Sequence, residues 1–206
     1  MSIELIVLAF ASIAGGIVYV LDKKISNGVH QADAYTILTL SLNVIISLPL
    51  LMVNFFMSSN PWVWLMIIVS GAAYGISRVF IYKAYQNSDA SNVGIIHKLT
   101  IVTGALLGII IFNEKYSFVS YIGLALIVIS SVLILYTGKK IELDKGAKYA
   151  LIMVGFSSIA AILDKAILND FSAYTYVVIN SIVSVIFFTC PRFNSLARTI
   201  TSANFE

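Results

Sequence analysis

The sequence predicts an all-α polytopic membrane protein of seven transmembrane helices: one five-helix unit followed by the first two helices of a second, inverted unit. Three observations carry this. Of 206 residues, 59% are hydrophobic and 11% charged, with mean hydropathy +0.94. A soluble domain carries about 25% charged residues, so this chain cannot clothe itself in a polar surface. Its apolar residues fall in blocks of about 20, the length a helix needs to cross a hydrocarbon core of about 30 Å. A short motif recurs at the ends of the first and sixth blocks.

The spans are expected at 3–21, 35–53, 62–83, 93–112, 118–136, 147–163 and 172–190. The first opens on Met-Ser-Ile-Glu, without the basic segment of a secretory signal, and reads as a permanent span. It closes on Leu21-Asp22-Lys23. Ala34-Tyr35-Thr36 opens the second. Pro61 suits the first turn of the third. A polar hairpin, Gln86 to Asn92, leads to the fourth, which closes on Asn113-Glu114-Lys115. After the fifth comes the longest charged link, Thr137 to Lys148. The units are therefore 1–137, a linker 138–146, and 147–206. The single Cys190 excludes an internal disulfide. No ten-residue alternation of a membrane barrel is present.

Leu163-Asp164-Lys165 at the end of the sixth span repeats Leu21-Asp22-Lys23, and Ala173-Tyr174-Thr175 repeats Ala34-Tyr35-Thr36. Five spans separate the two copies, an odd number, so the second copy crosses the membrane in the opposite sense. That is the inverted-repeat plan of secondary transporters. A full second unit would need five helices where the chain offers two. The expectation is a fragment or truncated product, with a repeat that stops at the second helix as the alternative.

Ionisable residues inside apolar spans mark functional sites by default. Lys98 lies about 9 Å into the fourth span at 1.5 Å per residue. On the third span Gly71, Gly75, Arg78 and Tyr82 share a face, and on the fourth His97, Ile101, Gly104 and Gly108 do so. Lys98, Arg78, His97, Tyr82 and Tyr74 are the candidates to line a cavity whose cations attract an anionic group. On that reading Lys98→Ala abolishes transport. The structural alternative has Lys98 and Arg78 stretching to the interface and His97 satisfied in the core. Gly71, Gly75, Gly104 and Gly108 would then serve helix packing, including a possible homodimer through these glycine faces. Asp22 and Asp164 are candidates for a coupling ion, or pair with their neighbouring lysines.

The cations lie mainly in loops, so nothing resembles the basic patch of a nucleic-acid binder. No metal-ligand spacing, nucleophile elbow or catalytic carboxylate pair appears. An enzyme, a cofactor and a bound metal are therefore not expected. Lys23, Lys24, Arg78, Lys83, Lys139, Lys140, Lys145, Lys148, Arg192 and Arg198 flank one side against Lys115 and Lys165 on the other, which by the positive-inside rule places the N-terminus outside.

Tyr82-Lys-Ala84, Asp89-Ala-Ser91, Lys98-Leu99, Gly104-Ala-Leu-Leu-Gly108, Glu114 and Tyr121-Ile-Gly123-Leu-Ala-Leu-Ile-Val, in this order, resemble the EamA-type branch of the drug/metabolite transporter superfamily. The resemblance implies ten helices in two inverted five-helix units around a central cavity, a cytoplasmic N-terminus, and alternating access without ATP hydrolysis. The chain departs from it in having no last three helices, and in carrying Ala14-Gly15-Gly16 where many relatives have a Trp-Gly-Ser-like turn. The implied function is a multi-pass permease of the cell membrane for small metabolites or amphipathic compounds. The alternative is a non-transporting membrane protein or helix-packing scaffold.

Overall fold

The computed structural model describes residues 17–18, 20–24, 32–53, 55–136 and 144–189. Helical residues 17–18 and 20–24 belong to α1. Then come α2 (Ala32–Ser47) with a 3₁₀ extension (Leu48–Met52), α3 (Pro61–Asn87), α4 (Ala90–Phe112), α5 (Phe118–Leu135), α6 (Lys145–Ile167) and α7 (Ala173–Thr189). Among the described residues there is no β-strand. Ser12 to Gly16, residues 137–143 and Cys190 lie outside them.

Local chemistry explains the helix ends. The Asn60 side chain accepts from Trp62 N at 3.0 Å, with Pro61 at the first helical position of α3, where a missing N–H costs nothing. Ser117 caps α5 and Asp144 caps α6 through Ala147 N at 2.6 Å, each filling an orphan donor of the first turn. Asn113 ends α4 in the left-handed region, φ 51°, a conformation asparagine tolerates better than most residues. The second span was expected to run helical to residue 53. It runs to Met52, with its α-helix giving way to a 3₁₀ turn after Ser47, because Pro49 cannot donate and its ring crowds the preceding turn.

α3, α4 and α6 are long and apolar enough to cross a membrane, and α2 with its extension, α5 and α7 are shorter apolar helices. Large apolar side chains face outward, among them Trp62, Ile110 and Phe118, each more than two-thirds exposed. In water that would be a liability; in a bilayer it is the required surface. The chain is an all-α polytopic membrane protein.

The interior is organised around α6. α3 packs along α6 and α7, α4 packs along α6 and α5, and α3 and α4 meet little beyond the turn at Ser88–Asp89. The simple α3–α4 hairpin expected from the sequence is thus opened by a helix inserted between its arms. Buried small residues on α6 permit this, including Gly146, Ala147, Ala150, Ser157 and Ala160, because they let backbones approach closely. Tyr82, Tyr85, Ile96 and Met153 fill the space where the three helices converge.

Candidate functional site

Polar side chains on α3 recur at Ser70, Tyr74 and Ser77, three or four residues apart, with Arg78 one turn beyond Tyr74, and so form one stripe. In the fold this stripe is turned toward α6. A cavity of about 80 Å³ opens between α3, α4 and α6, lined by Tyr74, Ser77, Arg78, Ile81, His97, Met153 and Ser157. Ser77 and Ser157 hydroxyls bond across it at 2.6 Å. At about 30 Å³ per water, it has room for two or three waters.

Three of the cavity candidates, Arg78, His97 and Tyr74, meet at this cavity. Lys98, one residue from His97, is exposed and is not among the lining residues; the turn of about 100° per residue carries it off the side of α4 that His97 presents. Tyr82 is buried below the cavity and donates to Thr39 Oγ1 at 3.1 Å, tying α3 to α2.

A second polar centre lies toward the C-terminal end of α6. Asp164 accepts from Ser70 Oγ at 2.7 Å, from Tyr74 Oη at 2.6 Å and from Tyr176 Oη. Ser70 and Tyr176 hydroxyls also lie 3.0 Å apart. Three helices, α3, α6 and α7, therefore converge on one carboxylate. Its neighbour Lys165 points elsewhere: it pairs with Glu114 beyond the end of α4, and its ammonium lies 5.2 Å from the Phe112 ring centroid. Tyr116 also donates to Glu114. The Asp164–Lys165 pairing considered from sequence does not form, again because adjacent residues leave the helix in different directions.

The other copy of the motif sits at the opposite ends of the helices. Asp22 is 9% exposed, and Lys23 Nζ donates to the carbonyls of Tyr85 and, at 2.8 Å, Ser88. A cation there satisfies orphan acceptors at the C-terminus of α3 and complements its dipole.

The glycines divide. Gly71 and Gly75 lie against α7: a Cβ on Gly71 would fall 2.6 Å from Val183 Cγ1, and one on Gly75 3.5 Å from Ser184 O. Gly104 has nothing within 4 Å of such an atom, and at Gly108 the nearest group is the Glu114 carboxylate. A larger cavity, about 420 Å³, lies between α4 and α5 and is lined by Ile101, Ala105, Tyr116, Ser120, Gly123, Leu124 and Ile127. It carries no charged side chain.

Sequence reasoning missed Ser70, Ser77, Ser157 and Tyr176. The stripe on α3 was legible in its spacing. Ser157 and Tyr176 gave no local signal, since their roles depend on partners about 80 and 106 residues away.

Helices that turn apolar side chains outward, and that gather an arginine, a histidine and a hydroxyl-held carboxylate within the bundle, define a helical integral membrane protein with a polar interior. Residues 2–136 match the EamA-like transporter family, and the chain belongs to that family. Over 71 residues it is 32% identical to an "Uncharacterized transporter in cobO 3'region" from a Sinorhizobium species, a match covering 34% of this chain and 50% of that protein. The chain thus aligns with about half the length of the curated relative.

Proposed function

We propose that this chain works in a secondary transporter of the cell membrane that carries a small metabolite by alternating access, and that the cavity between α3, α4 and α6 contacts the substrate. The observation carrying this reading is the meeting of Arg78, His97 and Tyr74 at one cavity inside the bundle. A guanidinium on an apolar span is costly unless it has work to do, and its planar fork suits a carboxylate or phosphate. The substrate is accordingly an anion. A volume of about 80 Å³ is too small for a metabolite, so the helices must part to admit one, as alternating access requires.

Flux into proteoliposomes tests this. Losing one hydrogen bond to a charged group costs about 1.5–3 kcal/mol, so Arg78→Ala should slow anion uptake by at least about tenfold with thermal stability retained. Lys98→Ala should have the smaller effect, because Lys98 lies off the cavity. Unchanged flux in Arg78→Ala would remove the cavity from the transport path.

A further inference from the structure

Asp164 has an arrangement of donors that transport of an anion does not by itself require. An ionised carboxylate offers about four lone-pair sites and no donor, and here three hydroxyls fill most of them. The two oxygens differ. Oδ1 takes Ser70 and Tyr176, whose oxygens lie 3.0 Å apart, whereas Oδ2 takes Tyr74 alone. Tyr74 is also the residue that Asp164 shares with the Arg78–His97 cavity.

We propose that Asp164 is a proton-binding site read out by Tyr74: a proton arriving on Oδ2 reverses its hydrogen bond with the Tyr74 hydroxyl, whose own hydrogen then turns toward the cavity and so links proton binding to anion binding. The second half of this rests on the cavity reading above. Protonation turns Oδ2 from acceptor into donor, so Tyr74 Oη accepts from it and the single Tyr74 O–H is released toward the cavity. Oδ1 keeps both of its donors, and the carboxyl stays anchored to α3 and α7 while its contact with Tyr74 changes. The proton enters from the aqueous side on which α6 ends, three residues beyond Asp164.

The charged and titratable groups around Asp164 leave this role to it. Tyr74 faces it from α3 and Tyr176 from α7, while Arg78, one turn beyond Tyr74, lines the cavity with His97 of α4. Lys165 on α6 is engaged by Glu114 beyond α4. A metal cation would need several oxygens with lone pairs turned toward it, but these hydroxyls aim their hydrogens at the carboxylate. A proton needs a single oxygen.

Infrared difference spectra of the full chain in detergent, acidic minus neutral, test the idea, with Asp164→Asn, Tyr74→Phe and Tyr176→Phe as variants. Expected on acidification is a protonated-carboxyl C=O band that Asp164→Asn removes, together with a shifted tyrosine C–O band that Tyr74→Phe removes and Tyr176→Phe keeps. Should Asp164→Asn fail to fold, Asp164→Glu should displace the carboxyl band instead. A spectrum with no carboxyl band that responds to position 164 would overturn the proposal. So would a tyrosine shift that survives Tyr74→Phe, or one driven by sodium at constant pH. Benzoate binding, measured alongside, separates the two readings. If benzoate binds no form while both bands behave as expected, the anion cavity fails and the proton site stands.

Discussion

A Cβ built on Gly71 would lie 2.6 Å from Val183 Cγ1 and 3.1 Å from Asn180 Oδ1, whereas one on Gly104 meets nothing within 4 Å. The two glycines look alike in sequence, each part of a small-residue pattern on an apolar helix, and a substitution separates them. Gly71→Ala must push α7 away from α3, and overpacking of this kind costs about 1–3 kcal/mol. Gly104→Ala adds a methyl in open space and removes glycine's helix penalty, a gain of at most about 1 kcal/mol. The apparent melting midpoint in detergent should fall for the first and hold or rise for the second. Equal losses in both would mean that α4 carries a helix contact at Gly104. Ser70 and Tyr74 belong to the same scale: each is an ordinary hydroxyl until α6 brings a carboxylate to it.

At the scale of the helix, α6 is held at both ends. Its first turn is jammed against the α3–α4 turn: a Cβ on Gly146 would sit 2.3 Å from Ser88 Cβ and 2.9 Å from Ala84 O. That oxygen belongs to backbone and cannot swing aside, so Gly146→Ala should destabilise the bundle by about 1–3 kcal/mol. Its far end carries Lys165 against Glu114, with side chains 46% and 25% exposed. Solvent screens such a pair, so it contributes only about 1 kcal/mol or less. In a double-mutant cycle, Glu114→Gln and Lys165→Gln should show a coupling of that size that shrinks with salt. A salt-independent coupling would place the pair in a drier setting than its exposure allows. The contrast ranks the two ends: steric fit sets where α6 begins, and charge only trims where it stops.

For the whole molecule, alternation of the helices puts the α2–α3 and α4–α5 connections on one face of the membrane and the α3–α4 turn on the other. In a Cys190→Ala background, Ser58→Cys and Asn87→Cys should therefore react with a membrane-impermeant maleimide from opposite sides, Asn87 being exposed at the end of α3. Labelling of both from one side would mean that α3 does not cross. The same experiment fixes orientation, on which the flanking cations and the family resemblance point opposite ways. Lys23 reaches Tyr85 and Ser88 at the α3–α4 turn, and Lys165 reaches Glu114 beyond the other end of α4. We propose on this ground that the second Leu-Asp-Lys copy is inverted relative to the first.

Much of this was legible along the chain, because crossing a bilayer imposes a length and an apolarity that each segment shows by itself. The seven blocks, the caps at Asn60, Ser117 and Asp144, and the α3 face bearing Arg78 all follow from local pattern. Pro49 was legible as well, as the place where the α-helix of the second span tightens into a 3₁₀ turn. What pattern could not supply was which faces meet. That α6 enters between α3 and α4, that Lys98 stays off the cavity while His97 lines it, and that Asp164 leaves its own lysine for Ser70, Tyr74 and Tyr176 are decided by packing between helices, the α3 hydroxyls lying 80 to 106 residues from their partners on α6 and α7. The sequence determined that these helices cross a membrane, since the bilayer acts on each one separately. Only the tertiary structure decided which polar groups share an interior, since that depends on the side chains each helix turns toward its neighbours.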